Sequence, residues 1–163
     1  SNIGPSISYV DKDSEVFRVL TNSGITFQNE IELLQVAREM EMVTIGLAFD
    51  EEDSRLMVEQ AQPDVFCFHA GTTKGGLRGY DTGETIDQTS ARTEEVNAKV
   101  RKLKEDIILI AHGSAMETPE DSQHILDRTT CDGIWTGSST ERIPIEAAVY
   151  DACKRFADLR FHH

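Results

Sequence analysis

Three times along the chain a short, uninterrupted apolar run stops at a histidine or glycine and gives way to Gly, Ser or Thr. Residues 64–76 read Asp-Val-Phe-Cys-Phe-His-Ala-Gly-Thr-Thr-Lys-Gly-Gly. The apolar run at 107–111 ends on His112, followed by Gly113 and Ser114. Ile134, Trp135 and Thr136 end on Gly137, Ser138 and Ser139. Runs this short and this apolar predict strands covered on both faces, as in a parallel sheet. Ligands of such sheets bind at the carboxyl ends of the strands. The polar tips are therefore expected to share one mouth.

The intervening segments read as helices. Ser14 caps a helix over 15–22 that Gly24 stops. A stronger apolar stripe, Ile31, Leu34 and Ala37, predicts a helix over 27–41. An apolar strand is expected over 42–49. The acids at 50–53 then open a helix that runs to about Gln60 and is closed by Pro63. A helix over 89–105 follows the long loop 70–88. Thr118 and Pro119 start another helix, and Pro144 opens a last one striped by Ala148, Ala152, Phe156 and Leu159. Residues 6–10 read as a further short strand. The alternation gives an α/β chain of repeating β-α units in one domain over 1–163. An ordinary (βα)8 barrel needs about 250 residues, so this length of chain holds only part of one. An open five-stranded doubly wound sheet fits the same pattern.

The charge balance excludes one class of partner. A formal net charge of −13 on 163 residues disfavours nucleic-acid binding, which needs clustered Lys and Arg. No apolar run reaches the ~20 residues of a membrane span, and residues 1–6 carry no signal-peptide pattern, so a cytoplasmic protein is expected. Cys67, Cys131 and Cys153 lack paired spacing and read as plain thiols rather than a zinc site.

Residue types at the strand ends carry the candidate chemistry. A histidine with an ordinary pKa near ~6.5 serves as acid, base or ligand, which singles out His69 and His112. Gly113-Ser114 and Gly137-Ser138-Ser139 offer backbone N–H groups and hydroxyls to an anion. The run Thr72-Thr73-Lys74-Gly75-Gly76 lacks the phosphate-loop pattern, but Lys74 can neutralise an acidic substrate. Arg142 can clamp a carboxylate or phosphate, and it and Glu141 can equally pair with each other or with the last helix. Asp50 reads chiefly as a helix cap and secondarily as an oxygen ligand for Mg²⁺.

Several stretches together carry a resemblance: Phe68-His-Ala-Gly-Thr-Thr-Lys-Gly-Gly, Ile110-Ala-His-Gly-Ser, Pro119-Glu-Asp and Trp135-Thr-Gly-Ser-Ser-Thr-Glu-Arg-Ile-Pro. With residues 2–11 and 24–50, this set resembles the phosphoenolpyruvate hydrolase-like TIM-barrel family. The resemblance implies that the chain corresponds to roughly the last five units of the barrel. It places His69, Gly71, Thr72, Thr73, His112, Gly113, Gly137, Ser138, Ser139, Glu141 and Arg142 at motif positions. It also implies hydrolysis at a phosphoenolpyruvate- or phosphonopyruvate-like substrate, with Mg²⁺ as a possible cofactor. Lys12 stands where the family usually has glycine after its strand-four acid.

The expectation is a site for a small phosphorylated or carboxylated metabolite. Gly113, Ser114, Ser138 and Ser139 hold the anion, His69, His112 or Glu141 acts in catalysis, and Arg142 and Lys74 balance charge. The rival is a non-catalytic binding or self-assembling module. An incomplete barrel leaves apolar faces and strand edges to be covered, so a homo-oligomer is expected either way.

Overall fold

The computed structural model describes residues 7–77 and 83–159. Gly79 of the long loop, the histidines at 162 and 163, and the front of the 6–10 segment lie outside them.

Four parallel strands form one sheet: β1 (Ile45–Ala48), β2 (Val65–His69), β3 (Ile108–His112) and β4 (Gly133–Ile134). Their order in the sheet is their order in the chain, β1-β2-β3-β4. A doubly wound sheet reverses strand order partway across, and this one does not. Right-handed crossovers between sequential parallel strands put every connecting helix on the same face, which is the winding of a barrel. The partial-barrel reading therefore holds.

The helices are α1 (Glu15–Asn22), α2 (Phe27–Glu39), α3 (Glu51–Leu56, running on as a wider π turn over Met57–Ala61), α4 (Ile86–Leu103), α5 (Pro119–Arg128), α6 (Ser138–Glu141) and α7 (Ile143–Ala157). Their starts follow from local capping. Thr26, Thr85 and Thr118 each accept a hydrogen bond from the third helical residue, whose side chain bonds back to the cap. In α5, Thr118 Oγ1 accepts from Asp121 N–H at 3.1 Å, and Asp121 Oδ2 accepts from Thr118 N–H at 2.9 Å. Thr118→Ala is expected to lower stability by about 1 kcal/mol, read as a shift in urea midpoint with unchanged slope.

The core lies between the sheet and α2–α5. Gly46, Ala48, Phe66, Phe68, Leu109 and Ala111 face the helices and are buried. They pack on Ile31 of α2, Met57 and Val58 of the π turn, and Val96 and Val100 of α4. Ala111 packs with Ile125 of α5 in a second cluster. The opposite face differs. Ile45 and Ile108 are 43% and 49% exposed, and Leu47, Val65 and Ile110 are half-buried. That is the inner face of a barrel wall, on which only Cys67, at its centre, is wholly buried among the described strand residues.

Two sequence expectations change. Residues Ile7–Tyr9 form a 3-10 turn rather than a strand, so the described residues hold four strands. The turn is closed by Val10 N–H on the Ile7 carbonyl. It is tied down by side chains, with Ile7 N–H donating to Glu30 Oε1 and Phe49 N–H donating to Ser8 Oγ. Those bonds replace the backbone ladder a strand would need. The last helix also departs from its expected packing: α7 buries none of its residues, and Phe156 is 76% exposed.

Candidate functional site

The strand register brings the predicted residues to one rim. His69 and His112 are direct partners across β2 and β3, and their rings meet edge to face at 4.4 Å. A β-carbon at Gly137 would lie 3.3 Å from His112 Cε1, so the loop after β4 abuts the same ring. The polar ends of three strands thus converge as their sequence placement implies.

The rim is an aromatic row. At its carboxyl end each strand presents a ring on the inner side: His69 and His112 as the last residues of β2 and β3, and Phe49 and Trp135 one residue past the ends of β1 and β4. Phe49 stacks on His69 at 4.1 Å, Trp135 lies 5.8 Å from His112, and Tyr9 extends the row at 4.8 Å from Phe49. Sequence reasoning singled out only the two histidines. Its missed signal was positional, because Phe49 and Trp135 stand at the same place after their strands. An open cavity of about 430 Å³ is bounded by Tyr9, Lys12, Phe49, Asp50, His69 and Arg92.

The two imidazoles are held differently. Gly71 N–H donates to His69 Nδ1 at 3.2 Å, so that nitrogen carries no proton. His112 Nδ1 sits 2.6 Å from the Trp135 carbonyl, which only accepts, so that nitrogen does carry one. Burial first, and the neighbouring His112 second, push the His69 imidazole down to about 3.

Below this rim the loops after β2 and β3 are stitched together. Ser114 N–H donates to the Gly71 carbonyl at 2.8 Å, and Lys74 N–H donates to the Ser114 carbonyl at 2.9 Å. Ser114 is wholly buried, and its hydroxyl donates to Glu84. Thr89 donates to the same carboxylate at 3.1 Å, and Arg92 to it at 3.0 and 3.1 Å. Arg92 also donates to the Ala70 carbonyl. Burial pushes the Glu84 carboxyl up, but the Ser114 hydroxyl and Arg92 guanidinium outweigh it and hold it below the ordinary range. Glu84 and Arg92 drew no attention in the sequence because both sit far from any strand end.

The other predicted residues divide. Ser138 and Ser139 lie in the first turn of α6, directly after the Gly137 that abuts His112, and Thr140 and Glu141 N–H groups take the Gly137 carbonyl. Gly113 is buried between the loops. Thr72 Oγ1 is 2.6 Å from the Tyr9 hydroxyl, and Thr73 is buried. Arg142 does not face the rings as a clamp. It donates to the carbonyls of Gly75 at 3.0 Å and Thr73 at 3.3 Å, and pairs with Glu146 at 3.2 Å. It fastens the loop that carries Lys74. Glu141 is exposed, and its carboxylate has no partner among the described residues.

Asp50 caps α3, accepting from Asp53 N–H at 2.8 Å, and pairs with the Lys12 ammonium at 2.9 Å. Lys12 also reaches Asp53 at 2.9 Å. An ammonium thus fills the position a divalent cation would take. Among the described residues no three His, Cys, Asp or Glu side chains gather in metal-ligating distance. These residues as arranged do not fit a resident Mg²⁺.

Comparison with known proteins adds the lineage. Over 141 residues the chain is 26% identical to the ToMV susceptible protein tm-1(GCR26) and to the ToMV resistance protein Tm-1(GCR237), both of Solanum lycopersicum. Each match covers 86% of this chain and 19% of the tomato protein. It is 23% identical over 137 residues to the putative transcriptional regulatory protein y4pA of Sinorhizobium fredii (strain NBRC 101917 / NGR234), covering 84% of this chain and 22% of that one. The chain spans about a fifth of the length of these relatives. The pattern of the phosphoenolpyruvate hydrolase-like family matches residues 2–159. With that match over nearly the whole chain, and a sheet wound as a barrel wall, the protein belongs to the phosphoenolpyruvate hydrolase-like family.

Proposed function

We propose that the rim binds a small phosphorylated or carboxylated metabolite and moves a proton on it, in the manner of a phosphoenolpyruvate or phosphonopyruvate hydrolase. The observation that carries this reading is the register pairing of His69 and His112, with both Nε2 atoms free of hydrogen bonds among the described residues. Ser138 and Ser139 supply amide and hydroxyl donors beside His112 for the anion. Lys74 balances its charge from the loop that Arg142 fastens. Ser114 supports this arrangement from below, through Glu84.

Isothermal titration with phosphoenolpyruvate and with inorganic phosphate, each with and without Mg²⁺, tests it. Binding is expected, and the double variant His112→Ala, Ser138→Ala is expected to weaken it about tenfold or more. Unchanged affinity in the double variant removes the named roles.

A second reading rests on a separate observation. The inner sheet face with Ile45 and Ile108 and the whole of α7 expose apolar side chains in quantity. On this reading the chain is an assembly module whose uncovered faces meet another copy. Light scattering on a size-exclusion column distinguishes the two: a concentration-independent monomer ends the assembly reading.

A further inference from the structure

We infer that the two histidines have fixed and unequal roles: His112 takes the proton, and His69 is a permanently neutral hydrogen-bond donor to a ligand oxygen. This rests on the proposed metabolite site, and it names the chemistry of a ligand that site would accept.

The backbone enforces the division. His112 donates its Nδ1 proton to the Trp135 carbonyl, which leaves a lone pair on Nε2. Protonation at Nε2 keeps that hydrogen bond and requires no rearrangement. His69 is the reverse case. Its Nδ1 accepts from Gly71 N–H, so its proton sits on Nε2. A second proton on Nδ1 would point at the Gly71 N–H, donor against donor, and would break the turn that positions Ala70 and Gly71. The ring is also packed between Phe49 and His112, and a β-carbon at Gly113 would lie 2.9 Å from its Cε1. Charged groups on the cavity side are Lys12, Asp11, Asp50 and Arg92; on the strand side the neighbour is His112. Lys12 and Asp50 neutralise each other, Arg92 is engaged by Glu84, and the Asp11 carboxylate is exposed to solvent and accepts from Asp13 N–H.

A fitting ligand presents an acceptor oxygen to His69 Nε2 and leaves room for a water beside His112 Nε2. The phosphoryl ester of an enol acid, such as phosphoenolpyruvate, has that arrangement, with its bridging enol oxygen as the acceptor. In the step, a water O–H bond breaks and an N–H bond forms at His112 Nε2 while the water oxygen bonds to phosphorus. The bond from phosphorus to the enol oxygen breaks, its electron pair stays on that oxygen, and the enolate accepts from His69 Nε2–H, which keeps its proton. The proton on His112 then passes to the enolate carbon, giving pyruvate and phosphate.

The first test needs no ligand. In ¹⁵N-histidine-labelled protein at about pH 7, His69 is expected as the Nε2–H tautomer and neutral His112 as the Nδ1–H tautomer. On lowering the pH to about 5, His69 stays neutral. An Nδ1–H form of His69, or an imidazolium at that pH, overturns the inference even if metabolites bind. The second test uses phosphoenolpyruvate. Binding is expected to weaken about tenfold in His69→Ala and to recover within about threefold in His69→Gln, which keeps a donor near the same place. His112→Gln is expected to keep binding within about threefold while abolishing release of phosphate or pyruvate from phosphoenolpyruvate. Failure of His69→Gln to rescue a folded protein overturns the donor role. Tautomers as stated, with no response of either ring to phosphoenolpyruvate or phosphate, sink the metabolite site and both roles with it.

Discussion

Gly113→Ala is expected to destabilise the protein by about 2–4 kcal/mol. Gly113 has φ +85°, a left-handed conformation that side-chain-bearing residues rarely adopt. A β-carbon there would also collide with the Gly71 carbonyl oxygen and sit 2.9 Å from His69 Cε1. The carbonyl cannot yield, because it accepts the Ser114 N–H that joins the two loops. Gly24→Ala provides the control. Its φ is +82°, with nothing within 4 Å of the added carbon, so it carries the conformational strain alone, about 1 kcal/mol. Urea denaturation of both variants isolates the steric part by difference. Equal losses in the two would show that the loops after β2 and β3 are not in the close contact described.

Acidification is expected to weaken the fold before any carboxylate titrates. His69 takes up a proton in the unfolded chain near 6.5, while in the folded protein burial and His112 hold it down to about 3. Between those values the unfolded chain binds more protons, so stability falls as pH falls, and the loss is complete below the folded value. From pH 6.5 to about pH 5 the expected loss is on the order of 1–2 kcal/mol, discounted for the ring's partial solvent access. Asp64 and Glu84, whose carboxyls lie below their ordinary range, add their own loss only at lower pH. The Thr44 backbone and side chain set the first, and Ser114 and Arg92 outweigh burial at the second. His69→Gln should flatten the upper part of the profile and leave the lower part. A parallel decline in the variant between pH 6.5 and about 5 would assign the effect elsewhere.

Both expectations concern contacts that strand-end chemistry announced only in part. The apolar run ending at His69 is β2 as read, and Ser14, Thr118 and Asp50 cap helices where expected. The stretch before Asp11 was misread, because Ile7 and Ser8 are held by Glu30 and Phe49, partners 23 and 41 residues away that no local pattern reveals. Of the readings open for Arg142, an anion clamp or a pairing with Glu141 or with the last helix, the structure takes the last, through Glu146. Its guanidinium turns to carbonyls 67 and 69 residues earlier in the chain. Ser114, two residues past the end of β3, is expected from sequence to hold an anion, yet at φ +53° its hydroxyl turns down onto Glu84.

What the sequence alone determined is the order of strands and helices after residue 11, several of the helix caps, and that the polar tips of the strands share an edge. Caps, turns and short apolar runs act within a few residues, and parallel pairing of like units then puts their ends together. What only the tertiary structure decided is which way each tip side chain points and which proton each ring carries. Those depend on single carbonyls and amides contributed by distant loops, such as Gly71 for His69 and Trp135 for His112. A hydrogen bond about 3 Å long selects one orientation from several, and nothing in the neighbouring residues encodes that choice.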